Sequence, residues 1–239
     1  MQNFVPRFNA ESVRGRLRGR RIDWFDSLDS TMIEARRDPE PGRIVGAEEQ
    51  TAGIGRHGRK WISESGTGLY VSIVLAAKPI PVTMLALGLA TREAIAGGAD
   101  LRWPNDVLLN GKKCAGVLAQ LEGDTIIAGI GINVSQTEFP DDLETPATSL
   151  LLEGVQMARE DLLVALVELV DRYTKLGSDE ILREFTNASS YVSGKRVRAE
   201  AVGKLVEGVT CGLDPAGFLR LREDNGTVTT ILAGGVRPI

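Results

Sequence analysis

The run GIGRHGRKW at residues 53–61 combines three glycines, three cationic side chains and a tryptophan. Glycine permits backbone angles and close approaches to a ligand that other residues do not. Arginine offers a planar fork of donors that matches carboxylate and phosphate groups, and an indole can cover an aromatic ring. The pattern predicts a loop that closes over an anionic, nucleotide-like compound, although basic surface loops share this composition.

A second candidate segment is the run LRWPNDVLLNGKKCAG at residues 101–116. Its Pro, Asn and Asp lie between short apolar runs, and its Asn-Gly pair is a strong hairpin signal, which predicts strands over 107–109 and 114–121. Side chains alternate between the faces of a strand, so only one of Lys112 and Lys113 can face a pocket on a given side. The segment therefore predicts a turn that presents one ammonium group to a ligand.

The third candidate is the glycine-rich run GIGINV at residues 129–134. A strand rich in glycine lets a ligand approach the backbone closely, and Asn133 can both donate and accept hydrogen bonds. Taken alone, each of the three runs also has an ordinary structural explanation as a surface loop, a turn or a core strand.

Together, in this order and spacing, the three runs resemble the biotin–protein ligases. That family carries a GRGRxGRxW-type loop, a KWPND segment followed by K-x-A-G, and a GxGIN strand. An Asp-Ser-Thr at residues 29–31 and the run EQTAG at 49–53 fit the same family, and the resemblance extends from about Trp24 to the end of the chain. There are two departures, since Ile54 stands where the family usually has arginine and Met32 where it usually has asparagine.

The resemblance implies an α+β fold in two domains. We expect a class II synthetase-like catalytic domain over residues 1–188, with a mixed or antiparallel central sheet and flanking helices, and a small SH3-like β-barrel over 189–239. Four short alternating runs separated by glycine-containing turns, at 195–202, 204–213, 218–223 and 228–232, independently favour such a barrel. Within the larger domain, residues 82–96 predict a largely buried helix that ends at the glycine pair 97–98.

The same resemblance implies a two-step reaction. Biotin and ATP would give biotinyl-5′-AMP, and the biotinyl group would then pass to a lysine of a biotin carboxyl carrier protein. Both steps build negative charge, which fixed cations and positioning stabilise. We expect Arg56 and Lys113 to be catalytic. Mg²⁺ should accompany ATP and bridge its phosphates, and no His/Cys cluster with metal-site spacing is present in the sequence.

The remaining expected site residues contact biotin or the nucleotide. Ser30, Thr31 and Gln50 would bond the polar edge of the ureido ring, and Trp61 would cover the adenine with Asn133 nearby. Asp106 would orient a lysine or a metal ion, or else cap its own turn. The full expected set is Ser30, Thr31, Met32, Gln50, Gly53, Ile54, Gly55, Arg59, Trp61, Asp106, Gly116 and Asn133.

Composition narrows the class of protein further. The net charge of −4, from 28 basic and 32 acidic residues, argues against general nucleic-acid binding. The single histidine, His57, argues against a Ser-His-Asp triad. The two distant cysteines, Cys114 and Cys211, are typical of free thiols in a reducing compartment. The chain shows neither a signal peptide nor a membrane-spanning apolar run, so we expect a cytoplasmic enzyme without a membrane partner.

Several alternatives stay open. The segment before residues 29–31 is too short for a winged helix, so we expect the ligase form that lacks an N-terminal DNA-binding domain. The protein could be a monomer or a homodimer. A lipoate ligase or an octanoyl transferase would share the fold of the catalytic domain. The changes at Ile54 and Met32 would also fit a non-catalytic biotin- or nucleotide-binding regulator.

Overall fold

The computed structural model of the chain describes residues 7–95, 98–201 and 203–239. Parts of three predictions lie outside these residues: the first six positions of the catalytic domain, the end of the helix at 96–97, and position 202 in the first strand of the small domain. The elements, in chain order, are α1 (Ala10–Arg16), β1 (Ile22–Leu28), α2 (Thr31–Arg37), β2 (Ile44–Gln50), β3 (Gly68–Ala76), α3 (Ile80–Ile95), β4 (Asp100–Arg102), β5 (Asp106–Leu109), β6 (Lys112–Glu122), β7 (Thr125–Asn133), α4 (Arg159–Tyr173), α5 (Ser178–Ala188), β8 (Ser193–Ala201), β9 (Lys204–Leu213), β10 (Leu219–Arg222), β11 (Val228–Ile231) and β12 (Val236–Pro238).

The larger part of the protein is built on a seven-stranded sheet. The strand order is β1-β2-β3-β7-β6-β5-β4. β1 and β2 run parallel, and every other neighbouring pair is antiparallel. This mixed sheet with its helices confirms the predicted α+β class, and the predicted hairpin between β5 and β6 is present.

Apolar side chains cover both faces of the central strands. Since side chains alternate along a strand, neighbours in sequence belong to different clusters. Ile44, Ile73 and Ile126 join the main core with α1, α3, α4 and α5, whereas Val45, Val74 and Ile127 join a small cluster beneath α2. The helix α3 is buried along most of its length, as its apolar sequence predicts.

The start of α2 is fixed by a side-chain cap. Ser30 has extended backbone angles, and its hydroxyl accepts a hydrogen bond from the backbone nitrogen of Met32 at 3.3 Å. Such a cap typically stabilises a helix by about 1 kcal/mol. It also places residues 30–32 against the face of the sheet that the small cluster covers.

The C-terminal strands form a second sheet of five antiparallel strands, in the order β11-β10-β9-β8-β12. This is the small β-structure that the alternating runs predict. Among the described residues no ladder joins β11 to β12, so closure into an SH3-like barrel stays a prediction, as does the domain boundary between residues 188 and 189. None of the helices in the described ranges is long and apolar enough to cross a bilayer.

Candidate functional site

A cavity lies on the α2 face of the main sheet, and its floor is made of glycine. Gly116 of β6 and Gly131 of β7 are paired partners, and Gly129 lies on the same face. A Cβ atom on Gly131 would lie 2.4 Å from the Trp61 ring, and one on Gly129 would lie 2.7 Å from the sulfur of Met32. Only glycine therefore lets these side chains rest on the strands.

One end of the cavity is lined by hydroxyl and amide groups. Thr31 donates from its backbone nitrogen and its hydroxyl to Oε1 of Gln50, at 2.8 and 3.1 Å. Ser72 donates to the Thr31 hydroxyl at 2.8 Å, and Gln50 Nε2 donates to Ser63 Oγ at 2.8 Å. These bonds fix the orientation of a polar end that also includes Ser30.

Arg56 enters the cavity from the hairpin at residues 53–61. It lies in a short 3-10 turn, Arg56–Gly58, and its Nη1 donates to Oδ1 of Asn105 at 2.9 Å. Asn105 is itself fixed, because its Nδ2 donates to the carbonyl oxygen of Val117 at 3.1 Å. Burial lowers the pKa of Arg56, with Asp106 opposing and Arg59 adding to the effect.

Lys113 enters the same cavity from β6. Its Nζ lies 2.6 Å from Oδ1 of Asp106, whose other oxygen lies 2.5 Å from Arg102 Nη2. Burial alone would raise the pKa of Asp106, but Lys113 and Arg102 outweigh it and hold that pKa below its usual value. The ammonium also lies 5.3 Å from the centroid of the Trp61 ring, within range of a cation–π contact.

Most of the expected site residues line this one cavity. They are Ser30, Thr31, Met32, Gln50, Ile54, Gly55, Arg56, Trp61, Lys113 and Gly116. The two expected catalytic cations come from distant stretches of chain, and their partners Asn105 and Asp106 are adjacent residues. Four expected residues do not line the cavity: Asp106, Gly53, Arg59 and Asn133.

Asp106 acts on the cavity through Lys113, and the other three residues have contacts of their own. Gly53 closes the hairpin, because its carbonyl accepts from the backbone of Trp61 at 2.9 Å. Arg59 points away and pairs with Glu144 at 2.7 Å. Asn133 is buried and donates to the carbonyl oxygen of Thr148 at 2.9 Å.

The cavity also contains residues that were not among the expected site residues. Asn105, Gly129 and Gly131 line it, and all three lie inside the sequence runs already singled out, so the signal for them was present. Ser63 and Ser72 support the polar end from positions with no local signal. Within the described ranges no group of three or more His, Cys, Asp or Glu residues could hold a metal ion.

Comparison with known proteins identifies the class of protein to which this fold and this cavity belong, a family of ligases. The chain matches the Biotin/lipoate A/B protein ligase family over residues 24–136, and the Biotin protein ligase C terminal domain over residues 192–236. The chain belongs to the biotin protein ligase family.

Individual relatives agree with this assignment. The bifunctional ligase/repressor BirA of Bacillus subtilis is 32% identical over 235 residues, covering 87% of this chain and 71% of that protein. The biotin--[acetyl-CoA-carboxylase] ligase of Mycobacterium tuberculosis is 34% identical over 210 residues, covering 81% and 77%. A structure of the biotin protein ligase from Aquifex aeolicus in complex with biotin and ATP superposes with a TM-score of 0.82 at 29% identity, covering 92% and 99%.

Proposed function

We propose that this protein joins biotin to ATP as biotinyl-5′-AMP and transfers the biotinyl group to a lysine of a biotin carboxyl carrier domain. In the first step a carboxylate oxygen of biotin attacks the α-phosphorus, and pyrophosphate leaves. In the second step the lysine amine attacks the acyl carbon, loses a proton to solvent, and AMP leaves. The observation that carries the proposal is the placement of Arg56 and Lys113 in one cavity, each held by a fixed partner.

The two cations divide the work of stabilising charge. Arg56 would hold the biotin carboxylate and the α-phosphate, and Lys113 would lie beside the anhydride oxygens. Because their anchors Asn105 and Asp106 are adjacent residues, the closed hairpin brings both cations to the same part of the cavity. Fixed donors of this kind are worth about 10²–10³-fold in rate each.

The opposite end of the cavity suits the ring of biotin. A ureido group has a carbonyl acceptor and two N–H donors, which need partners once buried. Ser30, Thr31 and Gln50 would supply them, while the thioether of Met32 offers an apolar, polarisable wall. Ile54 lies on the same cavity without a charge, so only a backbone contact is proposed for it, as for Gly55 and Gly116.

The cavity with the hairpin closed is small for biotin and ATP. The cavity has about 50 Å³ of open space, far less than the roughly 300–1,000 Å³ of ordinary small-molecule sites. The Trp61 ring fills the floor over Gly116 and Gly131. We propose that residues 53–61 open to admit biotin and ATP and then close with Trp61 against the adenine, which would keep water from the acyl-adenylate.

The remaining components follow from the chemistry. Mg²⁺ would enter with ATP as part of the substrate, bridging phosphate oxygens. The carrier domain would present its lysine at the mouth of the cavity. A cytoplasmic location and the absence of DNA binding stay predictions. A gel-shift assay with biotinyl-5′-AMP present tests the latter, and a specific shift would contradict it.

Biotin-dependent exchange of pyrophosphate into ATP tests the first step, with lipoate and octanoate as competing acids. We expect exchange with biotin and no exchange with lipoate or octanoate. When a carrier domain is added, we expect transfer of one biotinyl group per domain, measured by intact-protein mass spectrometry. Arg56→Met and Lys113→Met should each lower exchange by about 10²–10³-fold. Arg196→Met, which removes an exposed arginine paired with Asp224, serves as the matched control.

Other outcomes identify the alternative functions. Exchange with lipoate but not with biotin would indicate a lipoate ligase. Binding of biotin without exchange or transfer would indicate a non-catalytic regulator. The variant Arg56→Gly adds a test of shielding, because we expect it to release free biotinyl-5′-AMP into solution. Retention equal to that of the parent protein would contradict this role for Arg56.

A further inference from the structure

The indole of Trp103 connects the segment that holds both cations to the small C-terminal sheet. Trp103 is only 4% exposed, and its Nε1 donates a buried hydrogen bond to the carbonyl oxygen of Gly217 at 3.0 Å. Gly217 belongs to the turn between β9 and β10. A contact between residues 114 positions apart therefore joins the two sheets beside the cavity.

The turn that accepts this bond is held by hydrogen bonds within it. One carboxylate oxygen of Asp214 accepts from the backbone nitrogens of Ala216 and Phe218, both at 2.9 Å. Gly217 has a positive φ of 91°, and a Cβ atom there would lie 3.2 Å from Leu85 of α3. The carbonyl oxygen therefore has a fixed position, set by the C-terminal sheet and by the packing of the turn on α3.

The other end of the connection is close in sequence to both cation anchors. Asn105 lies two residues after Trp103, and Asp106 lies three residues after it. The backbone nitrogen of Asn105 donates to the carbonyl oxygen of Arg102 at 3.2 Å. A shift of the indole would move this short segment, and with it the partners of Arg56 and Lys113. Both cations would then be displaced together.

We propose that Trp103 is a positioning residue for the ligase reaction, which fixes Asn105 and Asp106 through its hydrogen bond to Gly217. The inference rests on the proposed function and makes the C-terminal sheet part of the catalytic apparatus without any contact with substrate. Displacements of about 1 Å can lower a rate by about 10²-fold. The ring end of the cavity, on α2 and β2, is supported separately.

The expected signature is therefore a loss of kcat without a change in biotin binding. Trp103→Phe keeps an aromatic ring but removes the donor. We expect kcat of biotin-dependent exchange to fall by about 10–10²-fold, while the Kd of biotin alone, measured by calorimetry, changes by less than about twofold. Each rate is divided by the concentration of sites that bind biotin, which the calorimetric stoichiometry gives. All measurements are made well below the melting temperature of the variant.

Two matched controls separate positioning from general loss of packing. Trp24→Phe makes the same change at a partly buried indole whose buried Nε1 has no hydrogen-bond partner among the described residues. Ser190→Ala weakens another contact, between β4 and the segment that leads into β8, because Ser190 bonds Asp100 through its backbone nitrogen at 2.9 Å and through its hydroxyl. Neither control should lower kcat by more than about twofold.

A second variant approaches the same bond from the other side. Gly217→Ala forces a side chain into a left-handed backbone against Leu85, which should move the carbonyl oxygen and lower kcat as Trp103→Phe does. Gly226→Ala is its control, since Gly226 also has a positive φ but has no neighbour within 4 Å. This pair decides the question if Trp103→Phe does not fold.

The outcomes are distinct. Unchanged kcat in Trp103→Phe and Gly217→Ala, or a loss of biotin affinity as large as the loss of kcat, would overturn the positioning role. Equal losses in the two control variants would also overturn it, because they would show a general packing effect. Absence of biotin-dependent exchange in the parent protein would instead reject the proposed function, and this inference with it.

Discussion

The variant Asp106→Asn tests the electrostatic arrangement beneath the cavity. It keeps the shape of the side chain but removes the negative charge that lies between two cations, Lys113 at 2.6 Å and Arg102 at 2.5 Å. The three side chains are 14%, 25% and 8% exposed, so solvent replaces little of the lost interaction. Removing one partner of a buried ion pair typically costs about 3–5 kcal/mol.

We expect the lower end of that range for Asp106→Asn. Lys113 is a quarter exposed, and Arg102 keeps a hydrogen bond to Thr145 Oγ1 at 2.8 Å. A loss of about 3 kcal/mol corresponds to a fall of about 1 M or more in the urea midpoint, for a slope of about 1–3 kcal/mol/M. The measurement is urea denaturation of both proteins at pH 7, followed by circular dichroism.

An exposed ion pair provides the matched control. Asp224 pairs with Arg196 in a two-bond arrangement, with exposures of 73% and 45%. Asp224→Asn should therefore cost no more than about 1 kcal/mol. Equal losses in the two variants, or a loss below about 1 kcal/mol in Asp106→Asn, would refute the claim that Asp106 is the charge that holds the two cations.

The pH dependence of this effect has a definite sign. The pKa of Asp106 is lower in the folded protein than in the unfolded chain. Its ionised form therefore stabilises the fold fully above the ordinary Asp value of about 3.9, and that contribution is lost as pH falls through the folded-state pKa. The stability difference between parent and Asp106→Asn should be constant from about pH 5 to 8 and narrow below about pH 4. A stability difference that becomes smaller as pH rises would contradict the assignment of a stabilising negative charge to Asp106.

Three further variants or measurements probe the surroundings of the site. Gly131→Ala should displace the Trp61 ring, because the new Cβ would lie 2.4 Å from it. We expect biotin-dependent exchange to fall by about 10²-fold and the indole fluorescence to change. Gly15→Ala is the control, since no atom lies within 4 Å of a Cβ placed there. Burial raises the pKa of Cys114 to about 12, so iodoacetamide at pH 8 should modify the other cysteine first in the folded protein, and equal rates would contradict this. Arg159→Met leaves a buried carboxylate without its cation and should cost about 3–5 kcal/mol in urea denaturation; a loss below about 1 kcal/mol would contradict it.

Local sequence signals were sufficient to predict the β5–β6 hairpin, which presents Lys113 to the cavity. The Asn-Gly turn at 110–111 forms between β5 and β6 as expected, and Asn110 has a positive φ of 49°. Alternation along a strand predicted that one of two lysines would face a pocket. Lys113 lines the cavity, while the more exposed Lys112 lies 3.9 Å from Glu153. These features depend on neighbours within a few residues, which the sequence displays directly.

Side-chain partners far along the chain could not be predicted in the same way. Arg59 lies in the most informative run of the sequence, yet its partner is Glu144, 85 positions away, and it turns from the cavity. Asn133 belongs to a recognisable glycine-rich strand, but it binds the backbone of residue 148. Ser72 reaches Thr31 across 41 positions. Such contacts are set by the packing of the sheet, which no local pattern encodes.

The adjacency of Asn105 and Asp106 explains why the cavity can tolerate change elsewhere. Consecutive Cα atoms are about 3.8 Å apart, so anchors on two adjacent residues hold Arg56 and Lys113 in the same part of the cavity when the hairpin is closed. Ile54, by contrast, pairs through its backbone with Lys60 across the hairpin, so its side chain is not needed to place either cation. A change there alters the wall of the cavity and leaves the charge arrangement intact. This is why retention of Arg56, Lys113 and the Asn-Asp pair favours a working ligase over a binding protein.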